Sequence, residues 1–274
     1  MSKKTELGTS DDLARVKYWN ENYVNYWKAR VAEANASGVC KSVTPVGDVK
    51  TTADALYLSI ISLLDIQADD HVLELGCGFG RSLPTLSAMA AEVAAVDISE
   101  QMIRAAQEAC TAPNVRFYVS PSEALPLPSG AFERVVCFAA FDAMYQTEAL
   151  VEMHRVTADG GKILITGKND NYRPDDIKAL EAEAGARGKG HPNYFTDVVA
   201  LLKHIDRFGF AVEKRLFFER RGDFSDDQGK ELPPPHFYEY LLVLKKTGEC
   251  DPPQDIAFCN AMSRTFSNQA SKAK

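Results

Sequence analysis

Short apolar segments alternate with helical segments between residues 71 and 167, and this alternation constrains the fold more than any other feature of the chain. Five apolar segments read as strands: HVLELG, EVAAVDIS, VRFYVS, RVVCFAA and KILITG. The segment EQMIRAAQEAC, which Ser99 can cap, has its apolar residues on one helical face, and ALVEMHRVT reads as another helix. Strands that alternate with helices predict an α/β fold built on a doubly wound parallel sheet.

The C-terminal part departs from this alternation. FAVEKRLFFER and HFYEYLLVLKK follow each other with no helical segment between them, and two strands without a crossover are expected to pair antiparallel. A helical stripe from Val198 to Phe208, closed by Gly209, precedes them. The sequence therefore predicts a mostly parallel sheet that ends in an antiparallel hairpin.

Composition and charge argue against several classes of partner. The formal net charge is −7 and the pI is about 5.4, so the chain has little attraction for a nucleic-acid backbone. The N-terminus lacks the apolar core of a signal peptide, and no apolar run approaches the roughly 20 residues of a membrane span. The six cysteines form no Cys-x-x-Cys pair. These features predict a cytoplasmic protein with free thiols that binds neither nucleic acid nor a membrane.

The stretch ELGCGFGRS, residues 74–82, follows the first predicted strand and has the composition of a nucleotide-binding loop. Glycine lets the backbone approach a ligand closely and adopt positive φ. The dinucleotide fingerprint is Gly-x-Gly-x-x-Gly, and Arg81 stands where its third glycine would be. No Gly-Lys-Ser/Thr follows, so the stretch is not a P-loop. Asp97 ends the second strand, where a carboxylate can accept the ribose hydroxyls of an adenosine.

Four segments together resemble the class I S-adenosylmethionine-dependent methyltransferases of the small-molecule, methyltransferase type 11-like kind. They are VLELGCGFG, VAAVDISEQMI, NVRFYVSPSEALPLPSGAFERVVC and ALVEMHRVTADGGKILIT, in the order and spacing of that family. The resemblance covers about residues 50 to 246 and implies a Rossmann-like seven-stranded sheet. It also implies S-adenosylmethionine as the cofactor and S-adenosylhomocysteine as the product.

The chain divides into three parts: a helical lid segment (1–50), a methyltransferase domain (51–247) and a tail (248–274) that we expect to be disordered because its sequence is polar and irregular. The lid interpretation follows from the family, which often covers its site with an N-terminal helix. An aromatic face can stabilise a sulfonium by cation–π contact, and Tyr18 and Tyr26 are the candidates. The alternative is a helix that packs its aromatic side chains on the core.

Cofactor-binding roles follow from the same resemblance. Glu74 is expected to orient the glycine loop or the cofactor's amino group, and Asp97 to bind the ribose. Pro121 stands where the family often has an aspartate, so no carboxylate can bind the adenine amino group there. The full set expected to contact the cofactor is Tyr18, Tyr26, Glu74, Gly76, Cys77, Gly78, Gly80, Asp97, Ile98, Met102, Ser122, Glu123, Phe138 and Ala139.

Methyl transfer from a sulfonium is an in-line displacement, in which positioning can supply most of the barrier reduction and one general base, or none, is needed. The candidate catalytic residues are His191, in the loop GKGHPNYF, and Asp142 and Tyr145, after the fourth strand. His191 could instead be a surface residue and Asp142 a helix cap. No cluster has metal-ligand spacing, so no metal is expected. Candidate substrate-binding residues follow strands four and five, where open α/β sheets bind ligands: Phe141, Lys168, Asn169 and Tyr172.

Three functions remain open on the sequence alone. The leading hypothesis is methyl transfer to an O, N or C atom of a small-molecule metabolite, and the sequence carries no signal for the acceptor or the oligomeric state. The alternatives are a non-catalytic S-adenosylmethionine- or nucleotide-binding module and an NAD-dependent oxidoreductase. The intact glycine loop and Asp97 argue against the module, whereas Arg81 and the closing hairpin argue against the oxidoreductase.

Overall fold

The computed structural model describes residues 10–25, 58–224 and 228–252, and a mixed sheet runs through this part of the chain. The strands are β1 (His71–Leu75), β2 (Glu92–Asp97), β3 (Val115–Val119), β4 (Phe132–Cys137), β5 (Thr157–Lys168), β6 (Phe210–Phe218) and β7 (Glu239–Lys246). Their order is β3-β2-β1-β4-β5-β7-β6. β2 pairs in parallel with β1 and β3, as β4 does with β5, whereas β7 is antiparallel to β5 and β6. The predicted seven-stranded sheet with a C-terminal antiparallel hairpin is confirmed.

Several of the described helices begin at a residue whose side chain caps them. They are α1 (Ser10–Lys17), α2 (Leu83–Met89), α3 (Glu100–Ala109), α4 (Gln146–Val156), α5 (Ile177–Gly188) and α6 (Val198–His204). Ser99 caps α3 as predicted, because its hydroxyl accepts the Met102 N–H at 3.2 Å. α6 continues through a 3₁₀ turn, Ile205–Phe208, and ends at Gly209 with φ 74°, as the glycine predicted.

Two compact units, Met1–Pro126 and Leu127–Lys274, make up the chain. In the first unit, β1 and β2 are buried along four consecutive residues each, as expected for parallel strands covered on both faces. α3 contributes its buried face, Met102, Ile103 and Ala106. These contacts place the carboxyl ends of β1 and β2 side by side, and the glycine turn and Asp97 lie there.

In the second unit, β7 lies between β5 and β6 and is buried from Tyr240 to Leu244. The Phe217 and Phe237 rings meet edge to face, with their centroids 4.9 Å apart. The Tyr240 hydroxyl, also buried, bonds to the Thr196 hydroxyl at 2.8 Å. The core of this unit is therefore aromatic, with polar groups that find partners inside it.

Two elements differ from the sequence prediction. α5 was not predicted, because only Ala179 and Glu183 are buried along IKALEAEAGARG and the segment lacks an apolar stripe. β5 begins at Thr157, the last residue of the segment ALVEMHRVT that was predicted as a helix, and five residues before the predicted strand KILITG. A register shift between Phe132 and Arg134 in the paired strand accommodates these extra residues.

The two ends of the chain are only partly described. Residues 10–25 are helical, including a π-helical turn at Tyr18–Tyr23, and residues 26–57 lie outside the described residues. In the tail, Asp251 N–H donates to the Arg207 carbonyl at 2.8 Å and Arg207 pairs with the Asp251 carboxylate, and the remaining residues of the predicted disordered tail, 253–274, lie outside the described residues. Within the described ranges, no helix is both long and apolar enough to cross a membrane.

We expect Tyr240→Phe to lower the free energy of unfolding by about 1–2 kcal/mol, because it leaves the buried Thr196 hydroxyl without its partner. Thr196→Val should cost a similar amount. The double variant should lose less than the sum of the two, since neither polar group is then left unpaired. Chemical denaturation of the four proteins measures this, and strictly additive losses would contradict the assigned hydrogen bond.

Candidate functional site

The glycine turn after β1 is tied to β2 through one carboxylate. Gly78 N–H donates to Asp97 Oδ2 at 2.9 Å, and Ser99 N–H donates to Asp97 Oδ1 at 2.8 Å. Burial raises the pKa of Asp97 to about 6, although these N–H donors lower it. The carboxylate thus fixes the turn and the start of α3 together.

Two glycines of the turn are required for different reasons. Gly78 has φ 54°, and a Cβ there would meet nothing within 4 Å. Gly80 has φ 80°, and its Cβ would lie 2.9 Å from Leu83 Cδ1 and 3.1 Å from Ala106 Cβ. Gly80 therefore allows the turn to pack on α2 and α3, whereas the space beside Gly78 is open to a ligand.

Glu74 carries a buried polar atom that the fold does not satisfy. Its side chain is 3% exposed, and the Ser82 hydroxyl donates to Oε1. Oε2 is buried with no hydrogen-bond partner among the described residues. Burial raises the pKa of Glu74 to about 7, against the effect of the Ser82 hydrogen bond, and nearby Asp97 raises it further. A buried carboxylate oxygen without a donor is costly, and an ammonium group of a ligand would satisfy it.

The loop after β3 lies beside Asp97 although it lacks the usual aspartate. Ser120 N–H donates to the Asp97 carbonyl at 3.0 Å, and the Ser120 hydroxyl donates to the Ala124 carbonyl at 2.8 Å. Ser122 is buried, and Pro121 offers no polar side chain. Three further predicted cofactor residues lie at the carboxyl ends of β1 and β2 or on α3: Cys77 and Met102, both buried, and Ile98, half-buried.

The described N-terminal segment contacts the loops that were predicted to hold the adenosine. The Arg15 guanidinium binds both oxygens of Glu123, at 2.6 and 3.1 Å. Asn20 Oδ1 accepts the Ser99 hydroxyl at 2.9 Å. Tyr18 is buried, and Tyr26 lies outside the described residues. Sequence reasoning missed Arg15 and Asn20, because a polar residue in a helical segment is usually expected to be exposed. The sequence does not show which distant residue it pairs with.

In the second unit, the residue two positions after β4 has a strained backbone. Ala139 has φ 46°, a left-handed conformation that costs a residue with a Cβ about 1–2 kcal/mol. Its N–H donates to the buried Thr166 Oγ1 at 2.8 Å, which helps hold the turn. Phe138, also predicted to contact the cofactor, is half-buried here. Strain of this kind collects at functional sites.

A charged cluster lies at the end of β5. Lys168 Nζ is 3.8 Å from Asp142 Oδ2 and 3.2 Å from Glu183 Oε1. Burial raises the pKa of Asp142, the Lys168 ammonium lowers it, and Glu183 raises it. Burial and the nearby Lys168 lower the pKa of His191 to about 4, so His191 is neutral near pH 7 but a weak proton acceptor.

The other residues that were predicted to bind the substrate separate into two groups. Phe141 is fully buried, and the Asn169 amide donates to the Phe237 carbonyl at 3.1 Å and accepts the Val198 N–H at 3.4 Å. Both side chains belong to the scaffold. Aromatic pairs surround the cluster instead, with ring centroids 5–6 Å apart: Tyr145 with Tyr194, and Tyr172 with Phe195 and Tyr238.

Four members of this cluster were missed in the sequence. Glu183 comes from the unpredicted helix α5, Tyr238 and Glu239 come from a segment read only as a hairpin strand, and Arg221 directly follows the other hairpin segment. Tyr238 donates to Glu183, and Arg221 Nη1 donates to the Tyr238 hydroxyl at 2.7 Å. Among the described residues, no group of three His, Cys, Asp or Glu side chains could hold a metal ion.

The comparisons with known proteins agree with the fold and the glycine turn. Residues 72–161 match a family model described as a methyltransferase domain. The chain is 28% identical over 147 residues to the uncharacterized methyltransferase YcgJ of Bacillus subtilis, covering 52% of this chain and 57% of that protein. It is 35% identical over 100 residues to the ubiquinone/menaquinone biosynthesis C-methyltransferase UbiE of Bordetella parapertussis, covering 34% of this chain and 39% of that protein.

Among solved structures, geranyl diphosphate C-methyltransferase from Streptomyces coelicolor A3(2), in complex with Mg²⁺, geranyl diphosphate and S-adenosyl-L-homocysteine, superposes with a TM-score of 0.62. The identity is 16%, and the match covers 88% of this chain and 99% of that one, which shows a shared fold. The chain spans less than two thirds of each of the two curated relatives described above. The chain therefore contains a methyltransferase domain, with the motifs and sheet order of the class I S-adenosylmethionine-dependent methyltransferases, whose cofactor is S-adenosylmethionine.

Proposed function

We propose that the protein transfers a methyl group from S-adenosylmethionine to an O, N or C atom of a small-molecule acceptor. The observation that carries this proposal is Glu74 Oε2, a buried carboxylate oxygen without a donor, next to a glycine turn that is open on the Gly78 side. This arrangement suits the amino group of a methionine moiety. When bound, the cofactor supplies a methyl group on a sulfonium, which carries its own leaving group.

The residues of the first unit would bind and orient the cofactor. The backbone of Gly76–Gly80 lies against the methionine part, and Glu74 pairs with the amino group. The Asp97 carboxylate accepts a ribose hydroxyl beside the main-chain donors that hold it, Gly78, Ile98 and Ser99. Adenine contacts are assigned to Ile98, Met102 and the backbone of Ser122. Glu123 serves this loop indirectly, since both of its oxygens bind Arg15.

The residues of the second unit would handle the acceptor. Asp142 takes the proton that the acceptor loses, since burial raises its pKa toward the working range of a general base. Lys168 and Tyr172 bind the acceptor, and Tyr145 contributes an aromatic surface paired with Tyr194. Phe138 and the strained turn at Ala139, which the family resemblance assigns to the cofactor, follow β4 in this unit.

The names of the relatives support a small-molecule acceptor. The Bordetella relative is a C-methyltransferase of ubiquinone/menaquinone biosynthesis, and the Streptomyces enzyme of similar fold methylates geranyl diphosphate at carbon. The net charge of −7 points the same way, because it disfavours a nucleic-acid substrate.

Asp97→Asn should weaken S-adenosylmethionine binding roughly ten- to hundredfold, because the amide loses the charge and one of the acceptor positions needed for the ribose. Glu100→Gln, three residues away and exposed at the start of α3, is the matched control and should bind normally. Isothermal titration calorimetry with S-adenosylmethionine, S-adenosylhomocysteine and NAD measures both. Binding of NAD alone would favour the oxidoreductase, and cofactor binding without turnover on any acceptor would favour the non-catalytic module.

S-adenosylmethionine affinity should fall about tenfold between pH 8 and pH 6, with release of a proton on binding at the lower pH. The sign follows from Glu74, whose pKa of about 7 leaves it a carboxylate at pH 8 and mostly protonated at pH 6, where the proton must leave before an ammonium can pair. Asp97, with a pKa of about 6, steepens the fall below pH 6. Calorimetry in two buffers of different ionisation enthalpy measures both quantities.

The Glu74→Gln variant tests the assignment of this pH dependence. It should bind more weakly at pH 8 and lose most of the change between pH 8 and pH 6. A variant that keeps the full pH dependence would show that Glu74 is not the group responsible.

A further inference from the structure

One ammonium group is shared unequally between two buried carboxylates in the second unit. Lys168 Nζ lies 3.2 Å from Glu183 Oε1 but 3.8 Å from Asp142 Oδ2. The Lys168 side chain is 24% exposed, whereas those of Glu183 and Asp142 are 3% and 7% exposed. The cation therefore reaches in from the solvent side and favours the carboxylate that sequence reasoning did not find.

Glu183 is held in place by hydrogen bonds that leave it little freedom. The Tyr238 hydroxyl donates to Oε1, and Asn193 Nδ2 donates to Oε2 at 3.4 Å. Arg221 Nη1 donates in turn to the Tyr238 hydroxyl at 2.7 Å, so the chain of donors ends in a second cation. A glutamate with this much support is a fixed anchor for the Lys168 ammonium.

The helix that carries Glu183 is itself anchored. The Asp176 carboxylate caps α5 by accepting the Ala179 N–H at 3.1 Å, and its other oxygen accepts the Arg221 N–H at 2.7 Å. Most of α5 faces solvent, and Glu183 is the buried charged residue on it. Burying a carboxylate is costly, and a well-packed apolar residue would often be at least as stabilising, so stability alone gives no reason for a charge here.

We propose that Glu183 is a positioning residue that draws the Lys168 ammonium away from Asp142, so that the Asp142 carboxylate can take the proton of a weakly acidic acceptor. This inference rests on the proposed function of Asp142 as the base. In the proposed methyl transfer, the acceptor's O–H, N–H or C–H bond breaks and its proton goes to Asp142. The acceptor atom gains the methyl group, and the sulfonium becomes the neutral thioether of S-adenosylhomocysteine.

The groups around Asp142 come from several elements. Lys168 at the end of β5 favours its charged form, and Glu183 on α5 opposes it. Glu239 and Tyr240 of β7 also face Asp142, and burial raises the pKa of Glu239 to about 7. If Lys168 closed fully on Asp142, the carboxylate would be a poorer base, because an opposite charge in direct contact favours the ionised form.

The test is a carbon-13 NMR titration of the full-length protein with the aspartate carboxyl carbons labelled. The Asp142 signal is identified by its absence in Asp142→Asn. Glu183→Gln should move the Asp142 midpoint to lower pH by roughly one unit, because the ammonium turns to its remaining carboxylate partner. Lys168→Met should move the midpoint to higher pH. Glu181→Gln, exposed on the same helix, should leave it unchanged.

The double variant Lys168→Met, Glu183→Gln shows whether Glu183 acts through Lys168. If it does, Glu183→Gln shifts the Asp142 midpoint clearly less in the Lys168→Met background than in the native protein. Equal shifts in the two backgrounds, or an unmoved midpoint in Glu183→Gln, would overturn the proposal. Should Glu183→Gln fail to fold, the Lys168→Met titration decides instead, and a midpoint that does not rise overturns it.

Calorimetry with S-adenosylmethionine on the same samples separates the two proposals. Normal cofactor binding with an unmoved Asp142 midpoint rejects the role of Glu183 alone. Shifts of the expected sign in a protein that binds no S-adenosylmethionine reject the proposed function while leaving the charge arrangement intact.

Discussion

The hydrogen bonds that one carboxylate accepts from main-chain N–H groups of two loops are the interaction on which the first unit depends. Asp97 stands at the end of β2, and its oxygens hold both the glycine turn after β1 and the beginning of α3. A side chain at one strand end thereby fixes two loops that are about twenty residues apart in sequence. Because these N–H groups are already satisfied, any ligand meets a preorganised surface and does not have to order it.

In the second unit, the charged residues at the end of β5 have partners that come from several different elements. Lys168 comes from β5, Glu183 from α5, and Tyr238 directly precedes β7. Such an arrangement is specified by tertiary structure alone. It also explains why the charged groups of this cluster tolerate partial burial, since each has an opposite charge or a hydrogen-bond donor close by. The cations are Lys168 and Arg221, and the carboxylates are Asp142, Glu183 and Glu239.

Local pattern was enough to predict most of the fold. The strands are recognisable in the sequence as apolar runs, and Ser99 and Gly209 mark the beginning of one helix and the end of another. α5 has no such mark, since it buries a single alanine and a glutamate, and a buried glutamate looks like an exposed one in sequence. The start of β5 was missed because Gly160 and Gly161 suggest a turn, whereas the strand continues through them beside an irregular partner.

The candidate site was predictable where motif and backbone coincide and unpredictable where side chains from distant segments meet. The glycine turn and Asp97 are local features, so their positions followed from the strand ends. Asn169 lies just after the strand-end position that was predicted, but its side-chain amide donates to one main-chain carbonyl and accepts from one main-chain N–H. The spacing of residues in the sequence does not reveal these hydrogen bonds. The partnership of Lys168 with Glu183 needed the fold itself.

The paired contact between Arg15 and Glu123 joins the N-terminal helix to the loop after β3 with a two-point clamp. Two segments that are 108 residues apart are therefore coupled, and a change that stabilises the loop after β3 also stabilises the helix by the coupling free energy of this contact. The same coupling acts in the opposite direction, so a change in the N-terminal helix is felt in the loop after β3.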